Sequence, residues 1–468
     1  MSLADPGSVA LSPTDSAASP RVGTQRPPYQ PTASTALLTD RYELTMLQAA
    51  LADGTADRHC LFEVFTRRLP AGRRYGVLAG TGRVLEALST FRFGAEELDW
   101  LHAQSVVDDR TLGFLEGYRF TGTISGYAEG EVFFPQSPVM TVEGTFAEAV
   151  LLETLVLSIL NYDSAVASAA SRMTSAAVER PCLEMGARRA HEQAAVAAAR
   201  AAVVGGFAGT SNLEAGRRYG LTTIGTAAHA FTLLHDDEES AFASQVASLG
   251  PGTTLLVDTY DVRKGVQNAV RAAGGRLGAV RLDSGDLGVL ARQVRAQLDD
   301  LGATNTQIVV SGDLDEYAIA SLRAEPVDTY GVGTSLVTGS GAPTAGMVYK
   351  LVEVDGVPVA KRSSHKESHG GAKRALRAAR DTGTIVEEII VTGAGVAGDD
   401  AVSGLGSLEV RDLQIPLVRG GRVVDDVPTL TDAREHLARG LVSLPWEGLG
   451  LSHGDPAVGT RHVSRPEK

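Results

Sequence analysis

The chain has 468 residues, of which 43% are hydrophobic and 21% are charged, proportions typical of a soluble globular protein with two or three domains. Its formal net charge of -13 argues against a nucleic-acid partner or an anionic membrane surface, although a local basic pocket is compatible with it. Two cysteines are too few for a disulfide framework, and no apolar run is long enough to span a bilayer, so we expect a cytoplasmic protein without a membrane anchor.

The N-terminal part of the chain begins with a polar segment. Residues 1–34 are rich in Ser, Pro, Ala and Thr and lack the apolar core of a signal peptide, so we predict a disordered tail there. An amphipathic helix follows, in which Asp40 and Glu43 have the spacing of a capping box. A strand over 59–66 and several short β-like runs come next. These elements together predict an N-terminal α+β unit over residues 35–148.

In residues 149–345, apolar strands alternate with helices, which predicts a parallel sheet with covered faces, either a barrel or a doubly wound sheet. An Ala-rich helix comes first, followed by a short helix in which Ser211 and Glu214 have capping-box spacing. Residues 346–468 form a β-rich C-terminal segment that opens with a hairpin-like unit at the Asp-Gly pair 355–356 and packs on the other two parts. The strand candidates of the middle region are TTIGT, TLLVDTY, LGAVRLDSG, QIVVSGD and DTYGVG.

Polar residues cluster at the ends of the four strands between residues 254 and 334. In a β/α barrel the carboxyl ends of the strands form one face, and that face carries the active site. These residues would therefore converge on one site, although a single Asp such as Asp286 or Asp313 could instead cap the helix that follows it. In chain order the strand-end residues are Asp258 and Asp261, then Arg281, Asp283 and Ser284, then Asp313 and Asp315, and finally Gly331, Gly333 and Thr334.

The stretch YGVGTSLVTGSG, which contains Gly333 and Thr334, presents backbone N–H groups and hydroxyls that suit an anion. A phosphate site is favoured over a plain flexible turn because barrel phosphate sites commonly follow the late strands. Cationic residues elsewhere would supply counter-charge for an anionic ligand, with a solvated surface run as the alternative. They are Arg67 and Arg68 before a turn, Arg188 and Arg189 at the start of the Ala-rich helix, and the cluster Lys361, Arg362, Lys366 and Lys373.

The segment GTAAHAF places one imidazole, His229, among small residues. A neutral imidazole is a usable phosphoryl acceptor near pH 7, and the neighbouring alanines leave room for a phosphate group. The alternative is a core histidine that needs only one hydrogen-bond partner. From these residues alone, both interpretations stay open.

A series of motifs follows in order beyond residue 35, namely LLTDRYELTM, FEVFTRRLP, GARRAHEQAA, GGFAGTSNLEAGRRYG, GTAAHAFTLLH, VDTYD, RLDSGD, SGDLDE, YGVGTSL, VAKRS and GGAKRALR. In these motifs the chain resembles the nicotinate phosphoribosyltransferase family, and most of all its actinobacterial type. The resemblance implies an irregular β/α barrel like that of the type II phosphoribosyltransferases, an N-terminal α+β sandwich-like domain, and homodimers that complete each active site across the interface. It also implies transfer of ribosyl 5-phosphate from phosphoribosyl pyrophosphate (PRPP) to nicotinate, giving nicotinate mononucleotide and pyrophosphate. In the family, Mg²⁺ assists this reaction and ATP is a co-substrate whose hydrolysis is coupled to it.

The resemblance further implies roles for individual residues. His229 matches the histidine that ATP phosphorylates, and the phosphoenzyme would bind the sugar donor and nicotinate more tightly. Tyr42 matches an aromatic residue that stacks on the pyridine ring, in the site of the partner subunit. The other matches are Arg188 and Arg281 near the base, Asp283 and Asp313 at the ribose hydroxyls and at Mg²⁺, and Gly333 and Thr334 in the 5-phosphate loop.

Ser211 bears on the choice of base. The related nicotinamide enzyme has Asp at this position, and Asp repels a carboxylate whereas Ser tolerates it, which favours nicotinate. A nicotinamide phosphoribosyltransferase is the first alternative. The others are a barrel aldolase or metal hydrolase that uses Asp258, Asp283 and Asp313 as a metal cluster, and a paralogue that only binds nucleotide.

Overall fold

The computed structural model describes residues 33–361, 369–393 and 406–464. The predicted disordered tail therefore lies almost wholly outside the described residues. No helix in the described part of the chain is long and apolar enough to cross a membrane.

The helices and strands of the described residues fall into three groups along the chain. The first group contains α1 (Arg41–Asp53), β1 (His59–Thr66), β2 (Gly76–Val77), α2 (Thr81–Ser89), α3 (Ala95–Ala103), α4 (Asp109–Glu116), β3 (Thr123–Tyr127), β4 (Val132–Phe133), β5 (Met140–Thr145), α5 (Phe146–Val150) and α6 (Glu153–Ala177). The second contains β6 (Cys182–Glu184), α7 (Glu192–Val204), β7 (Gly209–Thr210), α8 (Leu213–Tyr219), α9 (His229–Leu233), α10 (Glu238–Leu249), β8 (Thr254–Leu256), α11 (Val262–Ala272), β9 (Ala279–Leu282), α12 (Leu287–Asp300), β10 (Gln307–Ser311), α13 (Glu316–Ser321), β11 (Thr329–Val332) and α14 (Thr334–Val337). The third contains β12 (Met347–Val354), β13 (Val357–Pro358), β14 (Lys373–Ala379), β15 (Ile385–Thr392), β16 (Glu409–Asp412), β17 (Gln414–Arg419), β18 (Arg422–Val423), α15 (Leu430–Ser443) and β19 (Gly459–Ser464).

One antiparallel sheet, the sandwich sheet, combines strands of the first and third groups in the order β13-β12-β1-β5-β3-β17-β18. Strand β1 has the bounds that the sequence predicts, and its Cys60 pairs with Val354 of β12 on one side and with Gly144 of β5 on the other. The rings of Phe62 and Tyr349 stack in its core with their centroids 4.9 Å apart. The two ends of the chain therefore share one hydrophobic core.

A second sheet, in the order β16-β14-β15-β19, is tied by buried charges to the loop before β4 and to helix α15. The Arg377 guanidinium of β14 donates to Glu131 and, at 2.7 Å, to Glu388 of β15. Glu131 also accepts from Arg411 and pairs with His436 of α15, each at 2.7 Å. These residues form what we call the Arg377 cluster, which connects the loop before β4, the second sheet and helix α15.

Six parallel strands form the sheet of the second group, in the order β7-β6-β11-β10-β9-β8, and helices follow the strands. The predicted α/β fold with a barrel-like parallel sheet is confirmed. Val280, Leu282 and Val310 are fully buried in its core. The predicted strand TTIGT is wrong, because this segment makes only one bridge, between Thr210 and Thr223. Most of its residues are at least partly exposed, so no buried face holds the segment in a strand.

Helix α6, with 25 residues, joins the sandwich sheet to the barrel. Near its middle, Asn161 accepts the N–H that opens β12 at 2.7 Å. The hydroxyl of the next residue, Tyr162, donates to the carbonyl of Val337 in α14 at 2.9 Å. The helix therefore fixes the start of the C-terminal strands and the loop after β11 relative to each other.

The capping box predicted at the start of α1 is not formed, because Asp40 occupies the N-cap position without a side-chain hydrogen bond. Glu43 is buried instead and accepts the hydroxyl of Thr39 together with the N–H of Thr154 at 2.9 Å. It thus satisfies an N–H in the first turn of α6 rather than of its own helix. Burial raises the pKa of Glu43 to about 7, although hydrogen bonds from Thr154 and Thr39 act in the opposite direction.

Other helix caps of the barrel agree with the sequence in part. Asp286 caps α12 as predicted. Asp315, rather than Asp313, caps α13, and Asp313 itself has a positive φ of 47°. Asn212, rather than Ser211, caps α8, so the predicted capping box of that helix is displaced by one residue. The side chains of Asp313 and Ser211 therefore do not serve as helix caps.

Candidate active site

Among the polar residues predicted at the strand ends, Asp258, Asp283 and Ser284 meet at the carboxyl edge of the barrel sheet, close to Arg281 in β9. Its guanidinium donates from Nη2 to Asp283 Oδ1 at 2.7 Å and from Nε to Ser311 Oγ at 2.8 Å. Its Nη1 donates to Thr226 Oγ1 at 3.2 Å. Arg281 therefore joins the ends of β9 and β10 to the loop before α9, and sequence analysis did not identify Ser311 or Thr226.

Asp283 carries a stabilised negative charge. Burial raises the pKa of its carboxyl, but hydrogen bonds from Ser311 and Arg281, together with the charges of Arg281 and His229, hold the pKa below its usual value. His229 is attached to the same edge, because its Nδ1 lies 3.0 Å from the hydroxyl of Thr259, and the preceding residue, Asp258, accepts the N–H of Asp283. The barrel edge thus presents an ionised carboxylate close to an imidazole.

Asp258, directly after β8, is a further member of this edge. Its Oδ2 accepts the N–H of Asp283 and the hydroxyl of Ser284, both at 2.8 Å. Its Oδ1 is buried and has no hydrogen-bond partner among the described residues. A buried carboxylate oxygen in that condition suits a ligand hydroxyl or a cation. The sequence marks Asp258 as a strand-end residue, but only the structure reveals this open acceptor.

His229 is the first residue of α9 and is half-buried. The alternative interpretation, that His229 is a core histidine, is therefore wrong. Its Nδ1 lies 3.0 Å from the hydroxyl of Thr259, which follows Asp258 in the chain. This contact orients the ring and leaves Nε2 without a hydrogen-bond partner among the described residues. Ala228 and Ala230 beside it are exposed, which leaves the space around the ring that the sequence predicts.

The turn that contains Arg188 packs against the glycine loop that contains Gly333 and Thr334. The N–H of Met185 donates to the carbonyl of Val332 at 2.8 Å. A Cβ on Gly186 would lie 2.9 Å from the carbonyl oxygen of Gly333, so only glycine permits this approach. Arg188 and Thr334 are both exposed, and the structure therefore brings the predicted base-binding and phosphate-binding segments side by side.

Ser211 lies in the turn after β7, on the other side of β6. Its N–H donates to the carbonyl of Glu184, the last residue of β6, at 2.8 Å. The side chain is half-buried, and the following residue, Asn212, supplies the cap of α8. Ser211 is therefore held close to the turn of Arg188, because both segments are attached to the end of β6.

Tyr42, Arg67 and Arg68 belong to the sandwich part of the chain and do not share the hydrogen bonds of the barrel edge. Tyr42 lies on α1 with 45% of its surface exposed, near Glu153 at the start of α6. Arg67 and Arg68 line a cavity of about 1570 Å³, together with the loop 341–346. The Nε of Arg67 is buried without a hydrogen-bond partner among the described residues. This cavity, the sandwich cavity, contains none of the residues of the barrel edge described above.

The basic cluster predicted near residue 366 is described only in part, since Arg362 and Lys366 lie outside the described residues. Lys373 forms a buried ion pair with Glu63 of β1, with 2.7 Å between Nζ and Oε2. Its charge is therefore compensated within the sandwich, which corrects the prediction that Lys373 serves an anionic ligand.

The oxygen atoms at the barrel edge can be compared with the ligands that the predicted Mg²⁺ would need. Within the described residues there is no group of three or more His, Cys, Asp or Glu side chains placed to hold a metal ion. Asp283 offers one oxygen to Arg281 and Ser311, and Asp258 has the open oxygen. Mg²⁺ commonly binds through one or two carboxylates plus substrate phosphates and water, and this oxygen set fits that mode rather than a closed protein cage.

A parallel β/α sheet with a histidine, a carboxylate and a glycine loop at its carboxyl edge is the arrangement of a β/α-barrel enzyme, in which phosphate sites frequently lie at this edge. Residues 37–161 match the nicotinate phosphoribosyltransferase (NAPRTase) N-terminal domain, and residues 181–384 match the nicotinate phosphoribosyltransferase family. The chain belongs to the nicotinate phosphoribosyltransferase family.

Individual relatives agree with this assignment. Nicotinate phosphoribosyltransferase pncB1 of Mycobacterium tuberculosis is 63% identical over 436 residues, which cover 91% of this chain and 95% of that protein. Nicotinate phosphoribosyltransferase of Bacillus subtilis is 40% identical over 331 residues, covering 69% and 67% of the two chains. The crystal structure of human nicotinic acid phosphoribosyltransferase superposes with a TM-score of 0.78 at 25% identity, covering 91% of this chain and 97% of that chain.

Proposed function

We propose that this chain transfers the ribosyl 5-phosphate group of PRPP to nicotinate and releases nicotinate mononucleotide and pyrophosphate, a step of NAD biosynthesis. The observation that carries the proposal is the bonded group of Arg281, Asp283 and Ser311 beside His229 at the barrel edge. It occurs in a chain that is 63% identical to a nicotinate phosphoribosyltransferase over 436 residues.

The substrates are two anions that need separate positions at the edge. We assign Arg188 and Arg281 to the base and the loop of Gly333 and Thr334 to the 5-phosphate of the sugar, since exposed N–H groups and hydroxyls of such a loop suit phosphate oxygens. The packing of Gly186 on the Gly333 carbonyl supports neighbouring positions for base and phosphate. Ser211 is uncharged and does not repel the carboxylate of nicotinate.

The reaction breaks the bond between ribose C1 and a pyrophosphate oxygen and forms a bond between C1 and the pyridine nitrogen. Positive charge develops on the ribose ring between these events, and the ionised Asp283 stabilises it without a covalent intermediate. Arg281 holds this carboxylate in place, and Asp313 is assigned to the ribose hydroxyls. Mg²⁺ would be held by carboxylates of this edge, Asp283 and Asp313 by the family resemblance and Asp258 by its open oxygen, and would supply charge neutralisation for the departing pyrophosphate.

ATP is proposed as a co-substrate that phosphorylates His229. Because Thr259 engages Nδ1, the free ring nitrogen is Nε2, whose lone pair would attack the γ-phosphorus. The new N–P bond forms as the bond to the ADP oxygen breaks, and water later cleaves the phosphohistidine to give phosphate. The exposed alanines around the ring leave space for the phosphoryl group.

We propose a homodimer with shared active sites. The reason is that the sandwich part carries residues assigned to ligand binding that make no contact with the barrel edge of the same chain. Tyr42 and Arg67 are the examples described above. Large apolar side chains are exposed near both regions: Leu38 is 59% exposed on the sandwich, and Leu213 and Leu234 beside the edge are 75% and 78% exposed. Exposed apolar surface of this kind marks protein contacts, and a second copy would cover both regions.

The base is tested by assaying the purified protein with PRPP and either nicotinate or nicotinamide. We expect turnover with nicotinate and much weaker turnover with nicotinamide, because Ser211 does not reject a carboxylate and does not offer the amide the charged acceptor that an Asp would supply. A preference for nicotinamide would contradict the proposal.

The role of ATP is tested by mass spectrometry of intact protein at neutral pH after incubation with ATP. One added phosphoryl group is expected on the wild type and none on His229→Ala. The control is His235→Ala, whose ring lies just after the same helix and bonds the carbonyl of Phe231 at 2.9 Å. It should still be phosphorylated, and a phosphoryl group on His229→Ala would refute the role of His229.

A further inference from the structure

Glu184, at the end of β6, is fully buried between the two turns assigned to the base. One carboxyl oxygen accepts the N–H of Gly186 at 2.5 Å, in the turn that leads to Arg188. The other accepts the hydroxyl of Thr210, whose own oxygen accepts the N–H of Asn212 at 2.9 Å. A continuous chain of hydrogen bonds therefore runs from one turn, through Glu184, to the other.

The carboxyl group of Glu184 has only neutral partners, as that of Glu43 does, whereas the acids of the sandwich sheet and the Arg377 cluster are paired with cations. Glu63, Glu131 and Glu388 each contact a buried Lys or Arg. Glu184 forms no ion pair within the described part of the chain, and burial raises its pKa although Thr210 and Gly186 act against the shift. A buried acid without a cation is expensive to keep, so its presence is better explained by the geometry it imposes than by stability.

The phosphate loop has supports of its own. Strand β11 pairs with β6 through Gly331 and Leu183, and Tyr162 of α6 bonds the Val337 carbonyl of α14 at 2.9 Å. These contacts do not pass through the side chain of Glu184. Loss of that side chain should therefore disturb the two base-binding turns more than the phosphate loop, which keeps these supports although it also packs on Gly186.

We propose that Glu184 is a positioning residue that, with Thr210, sets the separation of the Arg188 and Ser211 turns and thereby the affinity for the pyridine base. The inference rests on the proposed transfer to nicotinate. Neither Glu184 nor Thr210 takes part in bond making. Their effect is carried to the base by Arg188 and Ser211.

The test compares Thr210→Val, which removes the hydroxyl at constant volume, with Thr210→Ser, which keeps it. For Thr210→Val we expect the KM for nicotinate to rise about tenfold, equivalent to about 1.4 kcal/mol, with kcat and the KM for PRPP within about twofold of wild type. Thr210→Ser should restore the KM for nicotinate. Glu184→Gln keeps the side-chain volume and should also raise the KM for nicotinate. If Thr210→Val does not fold, the Glu184→Gln variant is compared with the wild type instead.

Glu238→Gln is the matched control, because Glu238 is also a buried acid bonded to a neutral partner, Asn268 at 3.1 Å, but lies in α10. Its KM for nicotinate should equal that of the wild type. Equal losses in kcat and in both KM values for the Thr210 and Glu184 variants, or no change in the KM for nicotinate, would overturn the positioning role. Absence of nicotinate turnover by the wild type would instead refute the proposed function, and the inference with it.

Discussion

Position 211 is where we propose that a single side chain selects the base at the barrel edge. Its Ser is held beside the Arg188 turn by the bond from its N–H to the Glu184 carbonyl at 2.8 Å. Ser211→Asp places a negative charge where the nicotinate carboxylate is expected, and we predict that the KM for nicotinate rises at least about tenfold through charge repulsion. Steady-state kinetics with nicotinate as the varied substrate measures the effect.

Ser211→Asn is the control, because it matches the size of Asp and lacks the charge. We expect its KM for nicotinate to remain within about threefold of wild type, a change of under about 1 kcal/mol. Equal KM values for the Asp and Asn variants would show that charge at this position does not select the base.

Single residues of the site were predictable where strand-end position and residue type agree. Arg281 and Asp283 follow from the barrel pattern, and the structure brings them within 2.7 Å of each other. Ser311 and Thr226 were missed because isolated hydroxyl residues are common and have no diagnostic spacing. Thr259, the partner of His229, carries a weak signal in its place inside the VDTYD motif, but a contact between distant segments requires the fold.

At the scale of helices and strands, the sequence predicted the elements better than their ends. Ser211 and Asn212 are both good capping residues, and the structure uses the Oδ1 of Asn212, which accepts the N–H of Ala215, while the N–H of Ser211 is bonded to the end of β6. Asp286 was predictable as a cap since it competes with no such contact. The TTIGT segment has the composition of a strand, but its exposure leaves it without a buried face.

The contact between α1 and α6 should make stability depend on pH. Burial raises the pKa of Glu43 from 4.5 to about 7, so the folded protein holds this proton more tightly than the unfolded chain. The associated stability is present below the unfolded pKa and is lost as the pH rises through the folded pKa. We predict that the free energy of unfolding of the wild type falls by up to about 3 kcal/mol between pH 5 and 8 relative to Glu43→Gln.

Urea unfolding at several pH values provides the measurement. Glu96→Gln, on the exposed side of α3, is the control and should parallel the wild type at every pH. Parallel pH curves for the wild type and Glu43→Gln would contradict the assigned proton linkage.

At the scale of the whole molecule, the Arg377 cluster holds the second sheet and α15 against the loop before β4. Arg377→Met would leave Glu131 and Glu388 buried without their shared cation, and we predict a loss of about 3 to 5 kcal/mol in the free energy of unfolding. Chemical denaturation measures this loss. The control is Arg461→Met, which breaks the more exposed pair with Glu387 at 2.8 Å and should cost under about 1 kcal/mol.

An Arg377→Met variant as stable as Arg461→Met would show that the buried cluster does not hold these parts of the fold together. The cluster itself was not predictable from sequence, because its members are separated by up to 305 positions, as between Glu131 and His436. The alternation of strands and helices in the barrel was predictable, since each barrel strand lies close in the chain to the helix that covers it.

The central position of β1 has a consequence for how the protein is made. One neighbour of β1 is β5, which leaves the ribosome soon after it, but the other is β12, which begins only at Met347. Until that segment is translated, β1 has an open edge whose N–H and C=O groups can pair with another nascent chain. The yield of folded protein therefore depends on how well this edge is protected while the rest of the chain is synthesised.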